Sequence, residues 1–385
     1  MTGSAFTITG ADVLRPHGID AEPLAIADGT VADAPAGRTV DLSGWTVCPG
    51  IVDIHGDGFE RHVAVRRGAL PNMADGLYAL EAELAANGIT TAVLAQFVSW
   101  EGGMRGPDFA ARLVAAWQAV APQVATDLRI QIRLETHLTE AFDMVEEMIA
   151  RAGIDYLVFN DHLPHDRLDA GRTPPRLTGQ ALKAGRSPEA HLALLQRIHA
   201  ERHGVPGAVA ALAARLTARG VRIGSHDDPK PERRALYRDL GARIAEFPET
   251  EAAAQAARDG GDGIVMGGPN VVRGASHAGK VSARDIVAAG LCDALASDYH
   301  YPAPRAAALT LVREGVCDFA TAWGLVSQGP ARLLGLTDRG RLTAGSRADI
   351  VILDRVTGRV GATLAAGRFT YLTSPLAERF MPGAA

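Results

Sequence analysis

"TVCPGIVDIHGDGFERH", residues 46–62, is a short apolar run that finishes in His55, Asp57, Glu60 and His62. An apolar, β-branched run of this length reads as a buried strand. Residues i and i+2 of a strand face the same side, so His55 and Asp57 leave its C-terminal end together. One such ending is an ordinary cap or turn. Several in one chain are hard to treat as independent accidents.

The pattern recurs. "RIQIRLETHL" (129–138) ends in Glu135 and His137, and "IDYLVFNDH" (154–162) in Asp161 and His162. "VRIGSHDD" (221–228) ends in His226, Asp227 and Asp228, and "LCDALASDYH" (291–300) in Asp298 and His300. "ITTAVLAQFV" (89–98), "ARIAEFP" (242–248) and "GIVMGGPN" (263–270) complete eight strand-like segments. Most are separated by stretches with helical apolar spacing, such as "ADGLYALEAELAANG", closed by Gly88 as a C′ glycine, "AFDMVEEMIARAG" and "GAVAALAARLTARG". Eight strands alternating with helices predict a (β/α)8 barrel, which carries its chemistry at the C-terminal ends of the strands. Imidazole and carboxylate groups from several strand ends can converge on one or two divalent ions such as zinc.

The chain ends differ. Residues 1–48 and 340–385 carry short β-type stretches with glycine turns, such as "FTITGADVL" and "ADIVILDRVTGRVGATLAAGR". They predict one small β-sandwich domain built from both termini, flanking a barrel over 49–339. The polar, Pro/Gly-rich segment 163–191 reads as a long loop on the catalytic face.

Composition narrows the function classes. With 47% hydrophobic and 22% charged residues the chain has the profile of a soluble globular protein. No run of about 18 apolar residues marks a membrane span, and the N-terminus lacks the basic-then-apolar pattern of a signal peptide. Cys48, Cys292 and Cys317 are too widely spaced for a disulfide framework or a CxxC site, so a reducing cytoplasm is expected. A net charge of −5 argues against a broad nucleic-acid surface, while local basic clusters remain able to hold phosphates. "GASHAGKV" (274–281) nearly matches a P-loop, but Val281 stands where Ser or Thr is required. No GxSxG nucleophile elbow occurs.

"PGIVDIHGD", "SHDD", "SDYH" and "GRLTAGSRADIVILD" resemble the amidohydrolase superfamily, whose members join a metal-bearing barrel to a small β domain from both chain ends. Within it, "IGSHDD", "IAEFPET", "VMGGPNVVRGASHAGKV" and "LASDYHYP" are similar to the ribose 1-methylphosphonate 5-triphosphate diphosphatase family of phosphonate catabolism. The similarity is densest over 222–353. Three stretches depart from that family: HGDG at 55–58 in place of HTDN, "RHVAVRRGAL" at 61–70 in place of a Pro/Arg-rich segment, and DHLPHD at 161–166 in place of DHSPGQ.

The resemblance implies His55 and Asp57 as first-strand metal ligands, His162 and His226 as the other imidazole ligands, and Asp298 as the last-strand aspartate. Glu135 takes the bridging or flanking carboxylate position that a carboxylated lysine fills in some relatives. It also implies a divalent metal, zinc first with manganese or iron as alternatives, in one or two ions. Asp298 is then the general base. Phosphate contacts are expected from Arg61, Arg273 and Lys280, with Arg66 and Arg67 nearby, and His277 is either a ligand or a substrate contact. The expected partners are a small phosphorylated substrate and at most a second copy of the chain, with neither nucleic acid nor membrane. Hydrolysis of a C–N bond, by a deacetylase, cyclic amidase or nucleobase deaminase, is the rival activity on the same metal frame.

Overall fold

A computed structural model of the chain describes residues 5–64, 72–274 and 280–381. His277, Arg66 and Arg67 lie outside the described residues. The chain forms two compact units, one of 1–94, 119–129 and 265–385, the other of 95–118 and 130–264.

Eight strands form one sheet in sequence order: β1 (Ile51–Gly56), β2 (Ile89–Val98), β3 (Asp127–Glu135), β4 (Tyr156–Asn160), β5 (Arg222–His226), β6 (Ala242–Glu246), β7 (Gly263–Gly267) and β8 (Ala294–Ala296). Every pairing with a given register is parallel, and a parallel bridge from Gly56 to Asp298 carries β8 back to β1. Helices separate the strands, so the predicted (β/α)8 barrel is present. Both sequence ends of the helix Met73–Ala86 follow from local chemistry. Asn72 accepts a hydrogen bond from Ala74 N at its start, and Gly88 takes φ +83° just past its end. All ten residues of β2 are buried, as expected for a parallel strand covered on both faces.

The first unit also holds two sheets made from the chain ends. Four short strands (Thr30–Ala32, Leu24–Ala27, Phe6–Thr9, Arg38–Asp41) form one. Six form the other, in the order Arg368–Leu372, Val360–Ala365, Ile350–Asp354, Trp45–Pro49, Asp12–Arg15, Gly18–Asp20. Ile8, Ile26, Leu42, Ile350, Ile352 and Leu364 pack into one core between them, a β-sandwich drawn from both termini.

Two expectations change. The run 46–56 is not one strand. Trp45–Pro49 pairs with Ile350–Asp354 in the sandwich, whereas Ile51–Gly56 opens the barrel. Gly50 sits at the break, where a Cβ would lie 2.3 Å from Thr90 Oγ1. The segment 163–191 is not a bare loop either. It contains His165–Asp169, Leu177–Lys183 and the start of the helix Pro188–Ala200. These helices begin at prolines or stop at Gly171 and Gly185, both at positive φ, so their punctuation reads as loop while their short interiors are helical.

Candidate active site

Three barrel strands are followed by a non-glycine residue in the left-handed region: Asp227 after β5, Phe247 after β6 and Asp298 beyond β8, at φ 56°, 54° and 56°. Such backbone is uncommon outside glycine, and it persists where neighbours over-determine it. In the first unit the neighbours are visible. Asp298 N donates to His55 O at 3.0 Å, and Asp57 N donates to Asp298 O at 2.8 Å. His55, Asp57 and Asp298 are thus held together by backbone before any side chain acts.

Beneath them Asp53 is fully buried and accepts Ser297 N at 2.8 Å and Ser297 Oγ at 2.5 Å. Burial pushes its pKa up, against the pull of those two hydrogen bonds. Gly56 fills the tight space above it. A Cβ there would come 2.7 Å from both Asp53 Oδ2 and Ser297 Oγ and 2.8 Å from the Tyr301 ring. The packing around this strand end explains why HGDG, with no side chain at the second position, fits this chain.

The same unit gathers cations at Tyr299, the residue after Asp298. Arg273 donates to Tyr299 Oη at 2.8 Å, and Arg61 Nη1 to Tyr299 O at 3.3 Å. Arg61 also forms an ion pair with Glu83, whose other oxygen lies 2.5 Å from His62 Nε2. Lys280 is exposed.

The second unit carries the other candidates. Glu135 is completely buried, with Oε1 2.5 Å from His162 Nδ1 and Oε2 accepting His162 N at 3.1 Å. Asp227 Oδ2 stands 3.8 Å from the Nε2 atoms of both His162 and His226. Burial disfavours charge on His162, but the Glu135 charge and hydrogen bonds to Asp227 and Glu135 push its pKa up to about 10. Burial likewise opposes the Glu135 charge, yet His162 holds that carboxyl below its ordinary range. Carboxylates on both sides of the ring thus favour positive charge there.

His226 is oriented from both sides. Arg133 Nη2 lies 2.7 Å from its Nε2, and Glu246 Oε2 lies 3.2 Å from its Nδ1. A guanidinium only donates, so Nε2 presents its lone pair and the Nδ1 proton points at Glu246. Glu246 is fixed in turn by Gln131 Nε2 at 2.6 Å and Tyr156 Oη at 2.7 Å.

This donor set fits a divalent ion of the zinc type. It offers buried carboxylates beside imidazoles, in surroundings that already stabilise positive charge. His226 Nε2, which accepts from Arg133 here, is the ring atom that would be offered to such an ion.

The remaining strand-end groups separate. His62 pairs with Glu83, and His300 is exposed. Asp228 is 1% exposed and bound into a structural network, accepting from Ser225 Oγ at 2.5 Å and Arg234 Nη1 at 3.1 Å. His137 and Asp161 meet each other and His165, not Glu135. Glu246 was not among the sequence candidates, although "IAEFP" shows the same signal, a carboxylate closing an apolar strand.

A parallel barrel with imidazole and carboxylate groups gathered at its strand ends is the frame of a metal-dependent hydrolase. No protein-family model matches the chain. It is 32% identical over 332 residues, 83% of this chain and 85% of the relative, to the alpha-D-ribose 1-methylphosphonate 5-triphosphate diphosphatase of Escherichia coli (strain K12). Among solved structures it is similar in fold to molinate hydrolase, with a TM-score of 0.66 and 13% identity over 100% of this chain and 97% of that one. The N-acetylglucosamine-6-phosphate deacetylase of Pasteurella multocida matches with a TM-score of 0.62 and 10% identity over 95% and 99%. The chain belongs to the family of the Escherichia coli diphosphatase. Among the described residues, no helix is long and apolar enough to cross a membrane.

Proposed function

We propose that the protein hydrolyses alpha-D-ribose 1-methylphosphonate 5-triphosphate, releasing pyrophosphate and leaving the 5-phosphate, as a step in phosphonate breakdown. The observation that carries this reading is the pair of guanidinium groups, Arg61 and Arg273, on either end of Tyr299 beside Asp298. A polyphosphate needs fixed cations next to the reacting atoms, and a neutral amide does not. The 32% identity to a diphosphatase supports the same conclusion.

His55, Asp57, Glu135, His162, His226 and Asp298 would hold the metal, zinc or another divalent ion. When bound, it makes water acidic enough to react near neutral pH and offsets negative charge on phosphoryl oxygens. The chain's own groups do the rest. Asp298 accepts a proton from the attacking water, whose oxygen adds to the α-phosphorus. The bond from that phosphorus to the oxygen bridging it to the β-phosphorus breaks. Pyrophosphate departs with the bridging oxygen, and the proton held by Asp298 passes to it. Arg273 and Arg61 orient the triphosphate and take up its charge, with Lys280 as an additional cation. Glu246, through His226 Nδ1, sets that ring's tautomer.

Arg273→Ala is expected to lower kcat/KM for the triphosphate by roughly ten- to a hundredfold, about 1.5–3 kcal/mol for charge-assisted hydrogen bonds to phosphate. Its metal content, measured by elemental analysis, should stay at the wild-type value. An unchanged kcat/KM would return Arg273 to the role of a surface charge stacked on Tyr299.

A further inference from the structure

A second group of ligating side chains lies in the unit formed by 95–118 and 130–264, apart from Glu135 and His162. His137 follows the end of β3, Asp161 follows the end of β4, and His165 opens the next helix. Asp161 and His162 are neighbours in sequence, but the His162 ring turns to Glu135 while the Asp161 carboxylate turns to His137 and His165. Asp161 Oδ1 is 3.4 Å from His137 Nδ1 and 3.1 Å from His165 Nε2. One donor atom from each of the three lies within 4.8 Å of the others. His165 stands where the diphosphatase family has the glycine of DHSPGQ, so the cluster is a property of this chain.

The hydrogen-bond chain behind His165 fixes its tautomer. The exposed Asp169 carboxylate lies 2.8 Å from His199 Nε2, which therefore carries a proton. His199 Nδ1 is then a lone pair, and it faces His165 Nδ1 at 3.0 Å. His165 Nδ1 supplies the proton for that contact, so Nε2 is the ring atom that faces the Asp161 oxygen. A cation shared between His165 Nε2 and Asp161 Oδ1, which stand 3.1 Å apart, would be held by both. His137 stands on the other side of the same carboxylate oxygen, with Nδ1 3.4 Å from Asp161 Oδ1. Arg233 lies 3.5 Å from the other Asp161 oxygen, leaving Oδ1 for the ion. This is the outer support that metal-binding histidines typically have, a second ring nitrogen anchored through hydrogen bonds to a carboxylate.

The cluster also opens onto space. His137, Asp161 and His165 line a cavity of about 780 Å³, together with Arg202, Arg233 and Tyr237. We propose that His137, Asp161 and His165 form a second divalent-cation site of the zinc type, with its remaining coordination position open to this cavity. Two imidazoles and one carboxylate suit zinc, and three protein ligands leave room for water or a small anion, for which Arg202 and Arg233 supply positive surroundings.

The test is zinc titration of the full chain after chelator dialysis, read by competition with a chromophoric chelator, so hydrolytic turnover is not the readout. The wild type should bind one more equivalent at micromolar zinc than His165→Gln, and His137→Asn should lose the same equivalent. His199→Leu removes a group that touches no ion, and it should weaken that equivalent by roughly ten- to a hundredfold. Circular dichroism checks folding, and if one ligand variant is unfolded the other two decide. Equal stoichiometry and affinity in the wild type and the folded variants would overturn the site, as would a wild-type equivalent that binds only at millimolar zinc.

Discussion

The Asp298→Asn variant is expected to fold as the wild type does and to lose at least about a hundredfold in kcat, within the usual range for removing a general base. The substitution is unusually clean at this position. Asp298 has φ 56°, and asparagine accepts left-handed backbone as readily as aspartate does. The two backbone hydrogen bonds that tie it to His55 and Asp57 involve its main-chain N and O, so they survive. What disappears is the negative charge and the ability to accept a proton. Turnover measured at saturating substrate, alongside metal content, checks this. A metal-replete variant with near-normal kcat would remove Asp298 from the proton path.

Arg234→Ala should cost about 3–5 kcal/mol of stability, because it leaves the buried Asp228 carboxylate without the guanidinium it pairs with. The Arg234 side chain is completely buried. It donates to Ser225 Oγ at 2.5 Å, to Asp228 Oδ2 at 3.1 Å and to Ala242 O at 2.6 Å, and its Nε stands 3.2 Å from Asp262. One side chain on the helix Pro231–Asp239 therefore links the end of β5, the start of β6 and the approach to β7. Urea denaturation is the measure. Lysine has a single ammonium in place of this fork of donors, so Arg234→Lys should recover only part of the loss. If Arg234→Ala unfolds at the wild-type midpoint, Asp228 is satisfied in some other way. The contrast with Asp298 is instructive, since Asp228 and Asp298 carry the same sequence signal and serve opposite ends.

That signal, an apolar run closed by His, Asp or Glu, made most of the barrel legible. β2 lies on the residues that the alternation of apolar and β-branched positions marks, and the helix after β1 begins and ends at its own punctuation. Local chemistry decides such features. Pairing partners do not announce themselves locally. The division at Gly50 depends on Ile350–Asp354, some 300 residues away, pairing with Trp45–Pro49. His55, Asp57, Glu135, His162, His226 and Asp298 could be picked out as candidates because each lies at or just beyond the end of a strand. The sequence could not distinguish Asp161, which turns to His137 and His165, from its neighbour His162, which turns to Glu135. Side-chain direction beyond the last strand residue is set by the turn that follows, and alternation no longer applies there. Tyr299 was equally hidden. Nothing in "SDYH" indicates that two arginines from distant segments meet on it.

The central claim is that these residues act on a phosphoanhydride. Phosphorus-31 NMR of zinc- or manganese-loaded protein incubated with alpha-D-ribose 1-methylphosphonate 5-triphosphate tests it most directly. Two new phosphorus signatures are expected in equal amounts, pyrophosphate and the ribose 5-phosphate monoester, with the phosphonate signal intact. An unchanged triphosphate spectrum, from the same preparation that hydrolyses an N-acyl or cyclic amide substrate, would contradict it.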